Sequence, residues 1–345
     1  MYKRQIEIGL ANGLIERSQS DTVSPMHAVE QYGKIRVVMD SRKTNEQLCL
    51  YNYIFPKLSE EIEELAGGKY KVFSQTDLTS AFNQIEIAET SRHLLSFAVY
   101  TKKFRGTFRY TRMPFGIKPA PSVWASILDR SLEGINSGKS DRFMIKSFID
   151  DIVIAAVDEE AMFEALGNLF GRLAEMNYKL SLPKSSFFAD ECEYCGIKCS
   201  GEGYCISEKR RRILKEYPDY DVGSRKKNSD LAHLGFYNWH RRFVKDYSKK
   251  DRAIRDIVKE YKNKKVSRAD ANKAIKEITD EMRQQILDCM LITPTKEDTV
   301  ILQCDASGRA WGYACYCDRG VFSYGGGSFT PVSYTHLTLP TIYSV

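Results

Sequence analysis

Short apolar runs separated by turn residues organise this chain, and their spacing predicts both strands and helices. Alternating or continuous β-branched runs predict strands, whereas apolar residues three and four apart predict helices. Residues 113–121 hold three prolines and a glycine, which predicts an irregular loop, and Ser122 is predicted to cap the next helix. The predicted strands cover 34–40, 70–78, 85–87, 93–100, 106–112, a hairpin within 148–156, a hairpin at 192–207, 299–306, 312–317 and 321–324; the predicted helices cover 56–66, 122–132, 159–177 and 267–289.

Residues 148–156 break the strand pattern, because two adjacent carboxylates stand inside an apolar run. Strands disfavour aspartate, so the pattern predicts a tight hairpin that carries Asp150 and Asp151 at its turn. One interpretation is an acidic turn that only satisfies its own backbone. The other is a cation site, which needs further oxygen ligands.

Asp77 supplies such a ligand, because it also ends an apolar strand. If the two strands are neighbours, three carboxylates converge, and Mg²⁺ prefers such oxygen ligands. Two such ions activate a 3′-hydroxyl and stabilise a leaving pyrophosphate. The alternative for Asp77 is a strand-end cap.

Composition describes a globular protein with an uneven charge. Hydrophobic residues make up 43% of the 345 positions, and the net charge is +6. No apolar stretch approaches the roughly 18 residues that span a bilayer, and nine cysteines without a secretory signal predict reduced thiols. Lysine and arginine concentrate in residues 209–265, which suits a phosphate backbone or a solvated helical surface.

Six segments then resemble, in order, the reverse transcriptase of gypsy-type LTR retrotransposons. The order and spacing match from about residue 24 to about residue 328. The segments are 77–85 and 113–121 (first and second palm motifs), 148–151 (the aromatic-X-Asp-Asp box), 180–184 and 194–196 (fourth motif and primer grip), and 236–243, downstream of the palm.

This resemblance implies a role for each matching residue. Asp77 and Asp150 would bind two Mg²⁺ ions, or Mn²⁺, with the Leu78 carbonyl helping and Asp151 as the secondary acid. The nucleotide would contact Arg36, Ser80, Ala81, Phe82, Phe115 and Lys184, and the primer end would contact Tyr194, Cys195 and Gly196.

Phe82 and Asp305 refine the implied activity. An aromatic ring at Phe82 would block a ribose 2′-hydroxyl and select deoxynucleotides, although a buried core phenylalanine fits the same position. Residues 301–307 and 311–314 resemble the first two strands of an RNase H domain. That nuclease needs four carboxylates and only Asp305 is present, so we expect no RNase H activity.

The implied fold is an α+β right-hand polymerase with fingers, palm and thumb, followed by a truncated RNase H-like α/β domain. We expect residues 1–5 and 331–345 to be non-native, because 331–345 looks like translated sequencing-adapter read-through. The expected divisions are an N-terminal segment 1–23, fingers and palm 24–205, a basic helical thumb or connection 206–292, a partial RNase H-like domain 293–330 and the tail 331–345.

The resemblance also implies partners: an RNA template, a DNA primer/template duplex and deoxynucleoside triphosphates, in the cytoplasm within retroelement particles, with oligomerisation left open and no membrane. A non-catalytic nucleic-acid-binding remnant is the alternative, and an RNA-dependent RNA polymerase is a third. The spacing of Cys192, Cys195, Cys199 and Cys205 could suggest zinc, but equivalent family strands are apolar. His233 and His240 are interpreted as solvated or packed residues.

Overall fold

A computed structural model describes residues 2–31, 34–101, 104–135, 141–224, 229–294, 297–307 and 310–328. The chain forms two compact units. Unit 1 comprises Met1–Leu58 and Val72–Ala189, and unit 2 comprises Ser59–Lys71 and Asp190–Val345. No helix within the described ranges is both long and apolar enough to cross a bilayer.

Runs of strands and runs of helices follow one another along the described part of the chain. The helices are α1 (Tyr2–Ala11), α2 (Arg42–Gln47), α3 (Leu58–Leu65), α4 (Ala120–Leu132), α5 (Glu159–Glu175), α6 (Glu208–Glu216), α7 (Ser229–Trp239), α8 (Tyr247–Lys262) and α9 (Arg268–Asp288). The strands are β1 (Ile15–Arg17), β2 (Ser24–Gln31), β3 (Lys34–Met39), β4 (Val72–Asp77), β5 (Ser96–Thr101), β6 (Phe104–Tyr110), β7 (Phe143–Phe148), β8 (Asp151–Ala156), β9 (Ser186–Ala189), β10 (Glu191–Tyr194), β11 (Ile197–Ser200), β12 (Gly203–Ile206), β13 (Ile301–Ala306), β14 (Ala310–Cys317) and β15 (Gly320–Ser328).

The described residues of unit 1 form two sheets. One has the order β1-β6-β5-β2-β3, and the other has the order β7-β8-β4-β9. Strand β8 is central in the second sheet, and its residues after Asp151 are all buried. This explains why the run from Ile152 to Ala156 is continuously apolar rather than alternating.

Helices α4 and α5 bury their apolar stripes in the core of unit 1. The helix predicted over 159–177 is confirmed: Met162, Leu166, Leu169 and Leu173 recur three and four residues apart on α5 and are buried. Asp158 begins this helix, and its side chain accepts a hydrogen bond from the Ala161 N–H (2.8 Å).

Unit 2 contains two three-stranded antiparallel sheets, β10-β11-β12 and β13-β14-β15. The segment after α9 extends the first sheet, because Tyr204 and Leu291 exchange backbone hydrogen bonds of 2.7 and 2.9 Å. Gly203 permits this approach: a Cβ there would lie 2.3 Å from the Leu291 carbonyl oxygen.

Several local predictions are wrong in detail. Helix α4 begins at Ala120 after Pro119, without a side-chain cap, so Ser122 lies inside the helix. Residues 89–95 form a 3₁₀ helix, where part of a strand was predicted. Strand β2 begins at Ser24 and Pro25, in a stretch for which no strand was predicted. The predicted hairpin at 192–207 is a three-stranded meander with an additional turn at Cys195 and Gly196.

The predicted domain divisions stay predictions. The segment 331–345 lies outside the described residues. Residues 2–5 belong to α1, and Met1 is not among the described residues.

Candidate active site

Strands β7 and β8 form the predicted acidic hairpin, with Ile149 and Asp150 as its two turn residues. Phe148 pairs with Asp151 across the turn. Ile149 has φ +56°, and Asp150 is not among the residues with positive φ. Positive φ at the first position alone is the pattern of a type II′ turn, which favours glycine there. A β-branched residue is therefore strained at this position.

Strand β4 brings Asp77 to this hairpin, as predicted. Asp77 pairs directly with Asp151 across the antiparallel β4–β8 ladder. The next residue, Leu78, donates its backbone N–H to the Asp150 carbonyl oxygen (3.1 Å). The predicted acids thus meet at one end of the sheet.

Asp150 lies in an environment that opposes its negative charge. Burial raises the pKa of this carboxyl, and repulsion from Asp77 raises it further, while the Lys184 ammonium lowers it. Its Oδ1 atom is buried and accepts no hydrogen bond from the described residues. A buried carboxylate oxygen that lacks a donor is suited to a cation.

Lys184 contributes a positive charge to these acids. It ends a short 3₁₀ helix, Leu182–Lys184, and its Nζ donates a hydrogen bond to Asp77 Oδ2. That hydrogen bond raises the pKa of Lys184, so the ammonium form is favoured. The Lys184 side chain is 68% exposed, which leaves it free to reorient.

Metal-ligand geometry is incomplete with protein atoms alone. Within the described ranges, no group of three histidine, cysteine, aspartate or glutamate side chains is placed to hold a metal ion. Mg²⁺ is commonly bound through one or two carboxylates, with waters and substrate phosphates completing its shell. The acids at this hairpin, together with the unpartnered Asp150 oxygen, fit that open kind of site.

Four predicted nucleotide contacts follow or face Asp77. Ser80 is exposed with φ +49°, and Ala81 begins a 3₁₀ helix, Ala81–Gln84. The rings of Phe82 and Phe115 meet edge to face at 5.3 Å, and Phe115 is 47% exposed. Phe82, which follows Asp77 by five residues in the sequence, is partly buried against the core and forms an apolar surface with Phe115.

Loop 113–121 is fixed by α2 and the residue before it. The Ser41 hydroxyl and the Asn45 amide both donate to the Gly116 carbonyl oxygen, at 2.7 and 2.8 Å. Gly116 has φ +90°, a conformation that glycine adopts readily. These bonds position Phe115. Arg36 lies in β3 opposite Val29, and its side chain is outside the described part.

Sequence reasoning missed Trp124, which lies within the helix predicted over 122–132 and contacts the turn of the site. It is 0% exposed, and its indole N–H donates to the Ile149 carbonyl oxygen (2.8 Å). A buried tryptophan N–H requires an acceptor, and that requirement is the signal that could have prompted the search.

The predicted primer-binding residues lie in unit 2. Cys195 and Gly196 form the turn between β10 and β11, with φ of +52° and +83°. Tyr194 is buried, and its hydroxyl donates to Glu61 Oε2 (2.8 Å). The buried Tyr194 side chain therefore stabilises the turn from the interior, and Cys195 and Gly196 form the surface of the turn.

The remaining candidates show no metal-binding arrangement among the described residues. Cys192 and Cys199 face each other on the buried side of the β10–β11 pair, whereas Cys205 pairs with Lys198 on the other side. Asp305 is exposed on β13. His233 and His240 are packed, as expected, at 5% and 1% exposure.

Comparison with known proteins supports the family resemblance found in the sequence. The family model of "Reverse transcriptase (RNA-dependent DNA polymerase)" matches residues 26–199. The chain belongs to the reverse transcriptase family.

Similar proteins place the chain among the gypsy-type elements, as the sequence motifs predicted. It is 30% identical to the retrovirus-related Pol polyprotein from transposon 412 of Drosophila melanogaster, over 74% of this chain and 20% of that protein. It is also 30% identical to the corresponding polyprotein from transposon gypsy of the same organism, over 72% of this chain and 23% of that one. The chain therefore spans about a fifth of the length of these relatives.

Solved structures confirm the predicted right-hand polymerase fold. A foamy viral protease-reverse transcriptase in complex with double-stranded DNA matches with a TM-score of 0.75 at 20% identity, over 96% of this chain and 56% of that one. The same viral protein in complex with an RNA/DNA hybrid matches with a TM-score of 0.74 at 18% identity, over 96% and 43%. This chain thus shares its fold with proteins whose structures were determined in complex with nucleic acid.

Proposed function

We propose that this chain is an RNA-directed DNA polymerase that adds deoxynucleotides to a primer 3′ end. The observation that carries the proposal is the meeting of three acids at a strained turn: Asp77 pairs with Asp151, and one oxygen of Asp150 is buried without a donor. A structural turn gains nothing from an uncompensated buried carboxylate, whereas a cation site requires it. Family membership supports the same activity.

Asp77 and Asp150 would hold two Mg²⁺ ions, or Mn²⁺, with help from the Leu78 carbonyl and with Asp151 as the secondary ligand. When bound, the ions supply an activated 3′-hydroxyl and charge neutralisation of the leaving pyrophosphate. The carboxylates must then be ionised; burial and repulsion from Asp77 raise the pKa of Asp150, so bound cations would favour its charged form.

Lys184 would hold the site together before the substrate arrives. Its ammonium neutralises Asp77 in the free chain. We propose that the exposed side chain turns from Asp77 to the phosphates of the nucleotide, and that its Nζ carries a proton that assists pyrophosphate departure. A lysine suits this because its compact charge lies on a flexible stem.

Nucleotide selection would depend on the segment after Asp77. Ser80 and Ala81 would offer backbone N–H groups to the triphosphate, and the guanidinium of Arg36 would fork onto its oxygens. Phe82, supported by Phe115, would exclude a 2′-hydroxyl by its ring. Each of these roles is a proposal from the matched motifs.

Nucleic acid would be held mainly by backbone and charge. With Tyr194 buried, the turn at Cys195 and Gly196 would contact the primer end. The basic residues of 209–265 would contact duplex phosphates. We propose an RNA template, a DNA primer and deoxynucleoside triphosphates as partners, the cytoplasm within retroelement particles as the location, and no nuclease role for Asp305 alone.

Primer extension tests this function. The purified chain is given a homopolymer RNA template, a complementary DNA primer, dTTP and Mg²⁺, and product length is measured beside Asp150→Asn. Extension by the native chain that Asp150→Asn abolishes is the expected result. Extension that survives the substitution contradicts the assignment, and salt-dependent duplex binding without any extension identifies a non-catalytic binder.

A further inference from the structure

The turn at Ile149 and Asp150 is held by two hydrogen bonds that reach it from outside the hairpin. The Asp150 carbonyl accepts from the Leu78 N–H (3.1 Å), and the Ile149 carbonyl accepts from the Trp124 indole (2.8 Å). The first bond is made by backbone and forms with any side chain. The second depends on one side chain.

Ile149 needs such support because its conformation is unfavourable. A left-handed conformation costs an L-residue roughly 1–2 kcal/mol, and the branched Cβ of isoleucine adds to this. A strained conformation persists where several surrounding contacts hold the residue in it. Ile149 is also partly buried against the core, so its carbonyl would lose a partner if the indole were removed.

Trp124 is itself rigidly held, which allows it to position another residue. It is 0% exposed on α4, and its ring contacts Tyr178 edge to face at 5.4 Å. The indole N–H therefore has a fixed direction. A fixed donor selects one orientation of the peptide between Ile149 and Asp150, and that peptide sets where the Asp150 carboxylate points.

We propose that Trp124 is a positioning residue for the polymerase reaction: its indole N–H holds Ile149 in the strained turn and thereby aims Asp150. The inference rests on the proposed function of Asp150. It assigns Trp124 no contact with substrate or metal. Its effect is on the fraction of molecules whose turn is competent, so it should change kcat and leave the nucleotide KM nearly unaltered.

Trp124→Phe is the first test, because it keeps an aromatic ring and removes the donor. We expect kcat to fall about tenfold to a hundredfold, the range for a buried group left without its partner, with the KM for dTTP within about threefold. Trp311→Phe, an exposed tryptophan on β14, is the matched control and should not change kcat. Replacing Trp124 by 3-benzothienylalanine, which has sulfur in place of the N–H, keeps the shape and should reproduce the loss.

Ile149→Gly separates positioning from core packing. A glycine adopts the left-handed conformation without strain, so Trp124→Phe should reduce kcat less than about threefold in the Ile149→Gly background. Equal losses in the two backgrounds would mean that Trp124 acts only through packing, and the proposal would be wrong. A benzothienylalanine variant with native kcat would also overturn it.

Indole hydrogen exchange tests the hydrogen bond without any catalysis. In chain labelled with ¹⁵N-tryptophan, the three indole protons are assigned from the Trp→Phe variants. We expect the Trp124 proton to exchange slowest. Fast exchange overturns the proposal whether or not the chain polymerises, and a native chain that shows slow exchange but no extension refutes the proposed function alone.

Discussion

Two hairpin turns of this chain have two residues each, but they differ in backbone conformation and in the side chains that they carry. The turn at Ile149 and Asp150 contains no glycine, has its β-branched residue in the left-handed region and carries a half-buried carboxylate. The turn at Cys195 and Gly196 has positive φ at both positions, the type I′ pattern, and carries no carboxylate. The turn to which we assign chemistry thus combines a β-branched residue at positive φ with a half-buried carboxylate.

The second turn is held by its backbone instead. The Ser207 N–H donates to the Gly196 carbonyl (3.1 Å), and Arg210 covers the Gly196 Cα so closely that a Cβ would lie 2.4 Å from its Nε. The first turn therefore carries the side chain to which we assign chemistry, whereas the second turn requires a residue without a side chain, Gly196. Substitutions should therefore affect activity at the first turn and stability at the second.

Asp77→Asn should produce the largest effect. It removes a carboxylate from the proposed metal site, and we expect nucleotide incorporation to fall at least about 1,000-fold, equivalent to about 4 kcal/mol. Loss of the exposed ion pair with Lys184 should cost the fold less than about 1 kcal/mol. Rates and unfolding midpoints are compared with Asp129→Asn on the exposed face of α4. A rate close to that of this control would remove Asp77 from the site.

Phe82→Val should change which sugar is accepted. Shortening the ring opens space beside Phe115, and we expect discrimination between dTTP and UTP to fall about 100-fold. The measurement is the ratio of kcat/KM for the two nucleotides. Gly196→Ala, at the other hairpin, is the control and should leave this ratio unchanged. An unchanged ratio in Phe82→Val would mean that Phe82 is only a core residue.

Gly196→Ala should affect stability and primer binding. Alanine at φ +83° with Arg210 against its Cβ should lower the free energy of unfolding by about 1–3 kcal/mol. Denaturant unfolding measures this loss. The KM for primer–template should rise while kcat at saturating primer changes little. A fall in kcat alone would contradict the assigned difference between the hairpins.

Sequence alone supplied the site's acids and much of the secondary structure. Asp77 and the Asp150–Asp151 pair were located because carboxylates interrupt apolar strands, and the stripe of α5 followed from its period. The strain at Ile149 and the Trp124 hydrogen bond could not be predicted, because both depend on α4 lying against the hairpin. The burial of Tyr194 was missed because its partner, Glu61, is 133 positions away in sequence.

The pH dependence of stability should be the smallest effect. Burial lowers the pKa of His233 and of His240 to about 4 from 6.5, with repulsion from Arg283 adding to the shift of His233, and from Arg210 to that of His240. Attraction to Asp219 opposes the shift of the His233 pKa, and the hydrogen bond to the Phe236 carbonyl opposes the shift of the His240 pKa. The unfolded chain protonates first as the pH falls, so this stability is present above about pH 6.5 and is lost towards pH 4.

We therefore expect the free energy of unfolding to fall by roughly 1 kcal/mol for each histidine when the pH is lowered from 7 to 5. Asp150 contributes a pH dependence of the opposite sign: its pKa is raised, so its ionisation lowers the free energy of unfolding at neutral pH. The check is the pH slope of denaturant unfolding in His233→Gln/His240→Gln. That slope should be flatter than in the native chain and in exposed His93→Gln; an equal slope in all three would refute the assignment.

The most direct measurement compares rate and stability in one variant, Asp150→Asn, on a primed RNA template with Mg²⁺. The amide keeps the shape of the side chain and removes the charge that burial and Asp77 oppose. We predict that single-nucleotide addition falls at least about 1,000-fold while the unfolding midpoint stays equal or rises. Addition at the native rate, or a loss of rate that only accompanies unfolding, would contradict it.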